Sequence, residues 1–457
     1  NSRYFNAGRA NVVNMPVYQY SLDDDGNATI TGYSGSVSAL AIPQTIDGHK
    51  VVAIGERAFK GTCLVNVTIP DTVTEIGDST FAECKQLSSV QLSNNLTILG
   101  KFAFGNCTSL TSIWIPKSLK TADTSAFSGS PFAGCVALQS VELETGMTKI
   151  PDNLFDSCPG FTTITIPDTV TEIGDSAFAE CKQLSSVQLP NNLTILGKFA
   201  FGNCTSLTSI WIPKSLKTAD TSAFSGSPFA GCVALQSVEL ETGMTKIPDN
   251  LFDSCPGFTT ITIPDTVTEI GDSAFANTNL NSITIPDSVT QIGKYAFGGS
   301  KLESIRIPDT VTDIGDNAFN GCTELKDVTL PNIRKNIVAG MFENCTSLEK
   351  IVLPETVTAI RPDAFKGCTA LKDITWSEAL ENIESCAFQN CSALTDVTIP
   401  DSVKSIGYGV FSDCSALSAV TLPDGVKELG GQLFNKCDAL TTVTIPDSVT
   451  SIGKQVF

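Results

Sequence analysis

The 457-residue sequence contains a single histidine, His49, so most histidine-based chemistry is excluded at the outset. Ser–His or Cys–His catalysis needs a base beside its nucleophile, and no nucleophile motif surrounds the segment IDGHK. A zinc site with several histidines is excluded by the count, and no C-x-x-C pair is present. We therefore expect no enzyme, metal or cofactor, and we interpret His49 as an exposed turn residue.

Positive charge and long apolar runs are also scarce. The chain carries 29 Lys and Arg against 48 Asp and Glu, for a net charge of −19. The negative electrostatic field of this charge repels phosphate groups, so neither nucleic acid nor an anionic membrane surface is expected as a partner. The simpler interpretation of the acidity is that it keeps a long surface soluble. No apolar run is long enough for a transmembrane helix or a signal-peptide core, so we expect no direct membrane insertion by this segment.

Calcium has one weak candidate, the segment DDDGN at Asp23–Asn27. It offers oxygen ligands around a glycine, but it lacks the spacing of an EF-hand loop and the distal Glu that completes one. Asp, Asn and Gly also tolerate the backbone angles of a tight turn. The segment therefore predicts a β-turn rather than a calcium site.

Repetition dominates what remains. The phrase IPDTVTEIGDSAF stands at 166–178 and 263–275, and at 69–81 with Thr80 as its one change. Ile-Gly dipeptides and their equivalents recur from Ile54 to Ile452, mostly in steps of 23 residues. A fixed period of this length, with apolar residues at set offsets, predicts a solenoid of leucine-rich-repeat type. The phrase is therefore a structural repeat and not a catalytic site.

One repeat reads I-P-x-x-V-x-x-I-G-x-x-A-F-x-x-C-x-x-L-x-x-V-x. The segment LSSVQL at Leu87–Leu92 alternates inward and outward residues, as a half-buried strand does, and a proline usually follows such a segment and ends the strand. The segment SAFAECKQL at 176–184 spaces its apolar residues by three, which suits a short helix or 3₁₀ turn. We predict a β-rich solenoid of the α/β class, a right-handed curved coil of about seventeen repeats, each roughly 22–28 residues long. One long parallel sheet should line one side, with the helical turns on the other.

This pattern resembles the BspA-like leucine-rich repeats, which carry the same I-P-x-x-V-x-x-I-G-x-x-A-F-x-x-C-x-x-L spacing over roughly residues 35–457. The segment YSLDDDGNATITGYSG at 20–35 also looks like the lead-in that precedes such arrays. The resemblance implies a secreted or cell-surface bacterial protein, often one that adheres to host or microbial partners. We expect a lead-in segment and hairpin cap at 1–35 and a solenoid at 36–457 whose last repeat is incomplete.

The sequence also contains a longer repeat, which is made of several of these short repeats. Residues 70–166 and 167–263 differ only at Thr80/Ala177 and Ser93/Pro190. This near-identity indicates a tandem duplication of four repeats, which would disrupt a catalytic site assembled from distant repeats but merely lengthens a binding surface. Each copy has five extra residues, at 125–135 and 222–232, which predict a loop on the non-strand side.

Local departures from the repeat give two more predictions. Trp376 and Ser377 replace the usual Ile and Pro, which predicts a locally wider coil. The repeats at 277–280 and 298–302 are one residue short and lack the cysteine.

Fourteen of the sixteen cysteines share one position of the repeat, and only Cys63 and Cys386 fall outside it. Neighbouring repeats could bring two thiols within disulfide distance. A free cysteine, however, packs as a small apolar side chain, and a column of them serves packing without any bond. We therefore expect free, buried thiols.

The outward residues of the strands are the candidate binding surface. Most are Ser or Thr, which favour strands on a wetted face. Seven larger side chains interrupt that monotony and form the predicted site: Trp114, Trp211, Glu142, Glu239, Gln91, Gln188 and Arg306. Trp is enriched at binding hot spots, although local packing could also explain Trp114 and Trp211. If each coil advances about 4.8 Å, the two tryptophans lie about 19 Å apart.

These observations predict a non-catalytic adhesion or protein-binding module. Its partner would be a protein or glycoprotein on a host or neighbouring microbial surface. A passive surface stalk or spacer without a specific ligand is the alternative. Ice binding by threonine rows is disfavoured because Trp, Glu, Asp and Lys interrupt the rows.

Overall fold

The computed structural model describes residues 16–120, 129–217, 226–332 and 335–457, which divide into two compact units. Unit 1 takes in the described part of Asn1–Asn192 together with Asn203–Thr205, and unit 2 takes in that of Leu193–Gly202 and Ser206–Phe457. Each unit is a β-solenoid, and the described residues form about 18 coils. They contain strands and turns but no helix.

Unit 1 holds strands β1 to β15. In chain order they are Val17–Leu22, Ala28–Ser34, Ala39–Ala41, Thr45–Ile46, His49–Ile54, Asn66–Thr68, Glu75–Ile76, Ser89–Gln91, Ile98–Leu99, Ser112–Ile115, Ser140–Leu143, Lys149–Ile150, Thr163–Thr165, Glu172–Ile173 and Ser186–Gln188. The pairs β1–β2 and β4–β5 are antiparallel. The other strand pairs within this unit are parallel, as stacked coils require.

Unit 2 holds strands β16 to β37. In chain order they are Ile195–Leu196, Ser209–Ile212, Ser237–Leu240, Lys246–Ile247, Thr260–Thr262, Glu269–Ile270, Ser282–Thr284, Gln291–Ile292, Ser304–Arg306, Asp313–Ile314, Asp327–Thr329, Asn336–Ile337, Lys350–Val352, Ala359–Ile360, Asp373–Thr375, Asn382–Ile383, Asp396–Thr398, Ser405–Ile406, Ala419–Thr421, Glu428–Leu429, Thr442–Thr444 and Ser451–Ile452. The strand pairs described in this unit are parallel.

In each unit the described coils contribute strands to two separate ladders. The three- and four-residue strands make one surface, here called the strand face. The two-residue strands form a second ladder, here called the Ile-Gly ladder because a glycine usually follows each strand. The strand face matches the predicted sheet, whereas the second ladder was not predicted. Glycine permits its close stacking, since a Cβ on Gly100 would lie 2.5 Å from the carbonyl carbon of Gly77.

The side of the coil that bears the core phenylalanines consists of hydrogen-bonded turns, which corrects the predicted short helices or 3₁₀ turns. Residues two before and two after the phenylalanine usually have positive φ, as at Ser79 (53°) and Glu83 (61°) around Phe81. A helix cannot accommodate these left-handed residues. The amides of Ser79, Phe81 and Glu83 instead donate to carbonyls of the next coil, each at 2.7 Å. The turns therefore add further hydrogen bonds between coils.

Stacked phenylalanine rings run through the core of each unit. In unit 1 the rings of Phe59, Phe81, Phe104, Phe132, Phe155 and Phe178 follow one another with centroid distances of 5.0 to 5.6 Å. In unit 2 the stack runs from Phe201 to Phe457 with centroid distances of 5.2 to 6.1 Å. Apart from the exposed Phe457 at the end of the second stack, each of these rings is buried against its neighbours.

The sixteen cysteines are all free, and the fourteen in register are buried, which confirms the prediction. Their thiols donate mostly to the phenylalanine carbonyl of the preceding coil, as Cys107 does to Phe81 at 3.2 Å. Cys63 is exposed because Thr62 takes the repeat position beside it, with its hydroxyl 3.3 Å from the Cys84 sulfur.

Candidate functional site

The strand face presents the predicted binding residues on neighbouring parallel strands. Alternation along each strand buries the central apolar side chain and turns the residues on either side of it outward. Four of the seven candidates lie in unit 1 and three in unit 2. Those in unit 1 are Gln91, Trp114, Glu142 and Gln188, and those in unit 2 are Trp211, Glu239 and Arg306.

Trp114 and Trp211 differ from the other outward residues in their burial. Each lies in a four-residue strand of sequence SIWI, between two isoleucines that are at most 3% exposed. The indoles are half-buried, whereas the remaining outward residues of the described strand face are exposed. The tryptophans therefore both pack locally and remain open to solvent, so the two sequence interpretations are not exclusive.

The strand register places a carboxylate beside each tryptophan. Trp114 is the parallel partner of Glu142 across β10 and β11, and Trp211 is the partner of Glu239 across β17 and β18. We call these two juxtapositions the Trp–Glu pairs. Within the described residues neither Glu142 nor Glu239 has an ion-pair or hydrogen-bond partner.

The next glutamates along the chain, which directly follow strands β11 and β18, do have partners. Glu144 accepts the backbone N–H of Lys117 at 2.9 Å and pairs with its Nζ at 2.9 Å. The backbone N–H of Lys117 is the main reason that the pKa of Glu144 lies below its usual value, and the lysine side chain adds to it. Glu241 and Lys214 repeat this arrangement at 2.9 and 3.0 Å. Lys117 and Lys214 are the lysines closest in sequence to the Trp–Glu pairs, and each is thus already paired with another glutamate.

The other three candidates are exposed but less organised. Gln91 and Gln188 each lie opposite a threonine, Thr68 and Thr165 respectively. Arg306 lies opposite a threonine too, and its Nη1 is 3.9 Å from a carboxylate oxygen of Asp287, with both side chains largely exposed. Such an exposed pair stabilises little.

A cleft interrupts the strand face of unit 2 at Trp376. Strands β30 and β32 belong to separate sheets and are not in close contact, unlike the other neighbouring strands of this face. A cavity of about 340 Å³ lies there, lined in part by Trp376, Asp373 and Asp396. The half-buried Trp376 ring packs edge-on against Phe388 at 5.5 Å. The wider coil predicted from sequence stays a prediction, and the two aspartates of the cleft were not among the predicted site residues.

Three polar side chains that sequence reasoning missed occupy the cysteine position of the repeat. Thr62, Thr278 and Ser300 stand three residues after a core phenylalanine, and Thr278 donates its hydroxyl to the Phe275 carbonyl at 2.8 Å. Ser300 is fully buried, 3.4 Å from the Cys322 sulfur. The sequence did contain a signal for these residues, because each of the three stands at the same distance after a core phenylalanine as the cysteines do.

The remaining sequence candidates lie near the start of unit 1. The Asp23 carboxylate accepts the amides of Asp25 and Asn27 and the Asn27 side chain, which confirms a turn there. Those bonds, with the Asn27 side chain first, hold the pKa of Asp23 below its usual value. His49 is not an exposed turn residue: it begins β5, is half-buried, and its Nδ1 lies 2.8 Å from the Gly26 carbonyl.

Three further predictions concern metal, membrane and inserted loops. Over the part of the chain that the structure describes, no three His, Cys, Asp or Glu residues group to hold a metal ion. Within the same residues no helix is long and apolar enough to cross a membrane. The first residues of both insertions, 125–128 and 222–225, lie outside the described residues, so the predicted loops stay predictions.

Comparison with protein families identifies the repeat. The family described as BspA type leucine rich repeat region (6 copies) matches residues 34–131, 129–229, 225–349 and 335–457. These matches extend over most of the chain. The chain belongs to the BspA-type leucine-rich-repeat family. No curated protein matches it.

Solved bacterial leucine-rich-repeat proteins have a similar fold. A leucine-rich repeat protein from Bacteroides ovatus is 26% identical over 97% of this chain and 99% of its own, with a TM-score of 0.50. One from Eubacterium ventriosum is 23% identical over 88% and 95%, with a TM-score of 0.47. A leucine rich cell surface protein from Faecalibacterium prausnitzii is 24% identical over 94% of each chain, with a TM-score of 0.35. The Bacteroides ovatus structure supports the solenoid assignment over nearly the full length.

Proposed function

We propose that this chain is a non-catalytic protein-binding module, secreted by or displayed on a bacterial cell, that binds through its strand face. Membership of the BspA-type family supports the setting and the absence of a catalytic role. The partner is a protein or glycoprotein on a host or neighbouring microbial surface.

The observation that carries this proposal is the repeated Trp–Glu pair. A half-buried indole leaves part of its apolar ring in water on a strand face of small hydroxyl side chains, and Trp is over-represented at binding hot spots. The pair occurs once in each unit with the same strand register. A passive stalk would not require either pair.

The test replaces both tryptophans by serine, Trp114→Ser with Trp211→Ser. The matched control is Val136→Ser with Val233→Ser, which removes apolar side chains that are 57% and 59% exposed and lie after the buried cysteines, outside the strand face. Partners are captured from extracellular matrix and from co-resident microbial surfaces, and affinity is measured with the purified partner. The tryptophan variant should lose about 2 kcal/mol or more per hot spot, roughly 30-fold.

The control should bind like the wild type, and both variants should keep the wild-type circular dichroism. Unchanged binding by the folded tryptophan variant, with loss in the valine variant, would place the working surface away from the strand face. Failure of the wild type to bind any surface protein would favour the stalk.

A further inference from the structure

We propose that each Trp–Glu pair binds the cationic side chain of a lysine or arginine in the partner. This inference rests on the proposed function and specifies what the partner must present. The working unit is one indole and one free carboxylate on adjacent parallel strands: Trp114 with Glu142, and Trp211 with Glu239.

Geometry brings the two groups within reach of one cation. Adjacent strands lie about 4.8 Å apart, and directly opposed residues of a parallel pair point to the same side. A cation over the indole face, within about 6 Å of the ring centre, therefore lies beside the carboxylate as well. The indole supplies the cation–π attraction and an apolar wall for the methylene stem, and the carboxylate supplies charge-assisted hydrogen bonds.

Charge distinguishes this pair from the rest of its surroundings. Among the described residues of unit 1, the outward positions of the strand face include no lysine or arginine, and Glu142 is the one acidic residue among them. The closest lysine along the chain, Lys117, is held by Glu144. Among the described residues no lysine or arginine pairs with Glu142, and the same holds for Glu239, whose closest lysine along the chain, Lys214, is held by Glu241.

The whole chain favours the same ligand. A net charge of −19 attracts a basic segment from a distance and speeds its encounter. A neutral oligosaccharide could also stack on an indole, with hydroxyls at Ser112 and Ser140 nearby, but it would not need a carboxylate free of every internal partner. The unpaired glutamates favour the cation.

The experiment titrates the full chain with short peptides in a calorimeter. The probe is a glycine–serine peptide whose single charged residue is a lysine. Its matched versions carry arginine, acetyl-lysine or norleucine at that position. The lysine and arginine peptides should bind with two sites per chain, and the neutral versions should bind about ten-fold more weakly or not at all. The variant Trp114→Ser should leave one site.

Charge removal provides the decisive comparison. The double variant Glu142→Gln with Glu239→Gln keeps side-chain shape and should weaken the lysine peptide by about five- to thirty-fold. The control Glu172→Gln with Glu269→Gln makes the same change in net charge on the Ile-Gly ladder, where Lys149 and Lys246 keep Asp152 and Asp249 as partners. It should alter affinity by less than about two-fold, apart from long-range screening. Melting curves of both variants check that each is folded.

The outcomes separate this inference from the proposed function. If the tryptophan variant loses the natural partner while Glu142→Gln with Glu239→Gln binds it normally, the strand face still binds but the cation inference is wrong. Binding of a neutral linear oligosaccharide that survives the same glutamine substitutions also overturns it in favour of a glycan. If neither tryptophan nor glutamate changes affect the partner, both proposals fall.

Discussion

At the residue scale, the position three residues after each core phenylalanine requires a small side chain that carries a hydrogen-bond donor. It holds cysteine in most coils and threonine or serine in three, and these side chains commonly donate to a carbonyl of the phenylalanine column, as Cys391 does to Phe365 at 3.2 Å. A small side chain with one donor can reach that carbonyl from inside a tight turn. An alanine would leave the buried carbonyl with one fewer donor, at a cost of about 1 kcal/mol.

Thiol reactivity should follow this burial. Cys63 should be alkylated rapidly in the native protein and Cys386 more slowly, whereas the other fourteen should react only after denaturation. Burial raises the pKa of Cys135, Cys204 and Cys368 to about 12, so the reactive thiolate is scarce at neutral pH. Mass spectrometry with and without iodoacetamide measures this. Rapid modification of most thiols, or a loss of two mass units per adjacent cysteine pair, would contradict it.

A second residue-scale prediction concerns Asp156, a carboxylate that is 7% exposed. Burial, with a smaller contribution from Glu180, raises the pKa of Asp156. The folded state thus favours the protonated carboxyl, so this group stabilises the fold below its unfolded pKa and that stability is lost as pH rises through the folded pKa. Asp156→Asn should therefore raise the melting temperature at pH 7 by a few degrees and have little effect near pH 3.

The tandem duplication supplies the control for Asp156. Asp253 occupies the same position in the second copy, but there Asn277 stands in place of the second carboxylate and donates to Asp253 at 3.0 Å. Asp253→Asn should raise the melting temperature less than Asp156→Asn does. Thermal melts of both variants between pH 3 and pH 8 would decide this, and equal gains at every pH would refute the explanation.

At the element scale, the coil is stabilised by neighbours on both sides. Phe388 shows this, since its ring stacks on Phe365 at 5.2 Å and Phe411 at 5.8 Å and meets Trp376 at 5.5 Å. Removal of one ring leaves a cavity that both adjoining coils line. Stability in such an array is the sum of coil and interface contributions, so damage should remain local.

Phe388→Ala tests this distribution of stability. It should cost about 3–5 kcal/mol of the free energy of unfolding. Hydrogen exchange should quicken first in the coils around residues 365–411 and last in distant coils of unit 2. The surface change Lys404→Ala, which removes an exposed ion pair with Glu381, serves as the control. A uniform loss of protection along the unit would contradict the expected locality.

At the scale of the whole molecule, the duplication means that one copy can be removed without changing the register of the remaining coils. Deletion of residues 167–263 joins Ile166 to Pro264 and restores an Ile-Pro junction identical to the one at 263–264. The shortened chain should fold with a melting temperature within a few degrees of the wild type and bind one lysine peptide instead of two. Calorimetry measures both quantities.

An out-of-register deletion is the control for that prediction. Removal of residues 167–257 repeats the segment FTTITI within one coil, so six extra residues must loop out of that coil and two identical segments compete for one strand position. This chain should melt well below the in-register deletion. If both deletions melt alike, the coils do not require a fixed register.

The sequence by itself determined the repeat period, the strand face, the buried phenylalanine and cysteine columns and the family, because each is a property of one coil repeated many times. The two-residue Ile-Gly strands and the left-handed turns escaped prediction. They depend on hydrogen bonds between stacked coils, and a pattern within one coil does not report those bonds.

Only the tertiary structure decided the details of the candidate site. Sequence alternation predicted that Trp114 and Glu142 point outward, but stacking of the coils made the indole half-buried and left the carboxylate unpaired while Glu144 took the nearby Lys117. The cleft at Trp376 was not predicted, since its lining comes from two strands that belong to different coils. Burial and pairing arise between coils, from side-chain volume and from competition among neighbouring charges, and the order of residues within a repeat does not fix either.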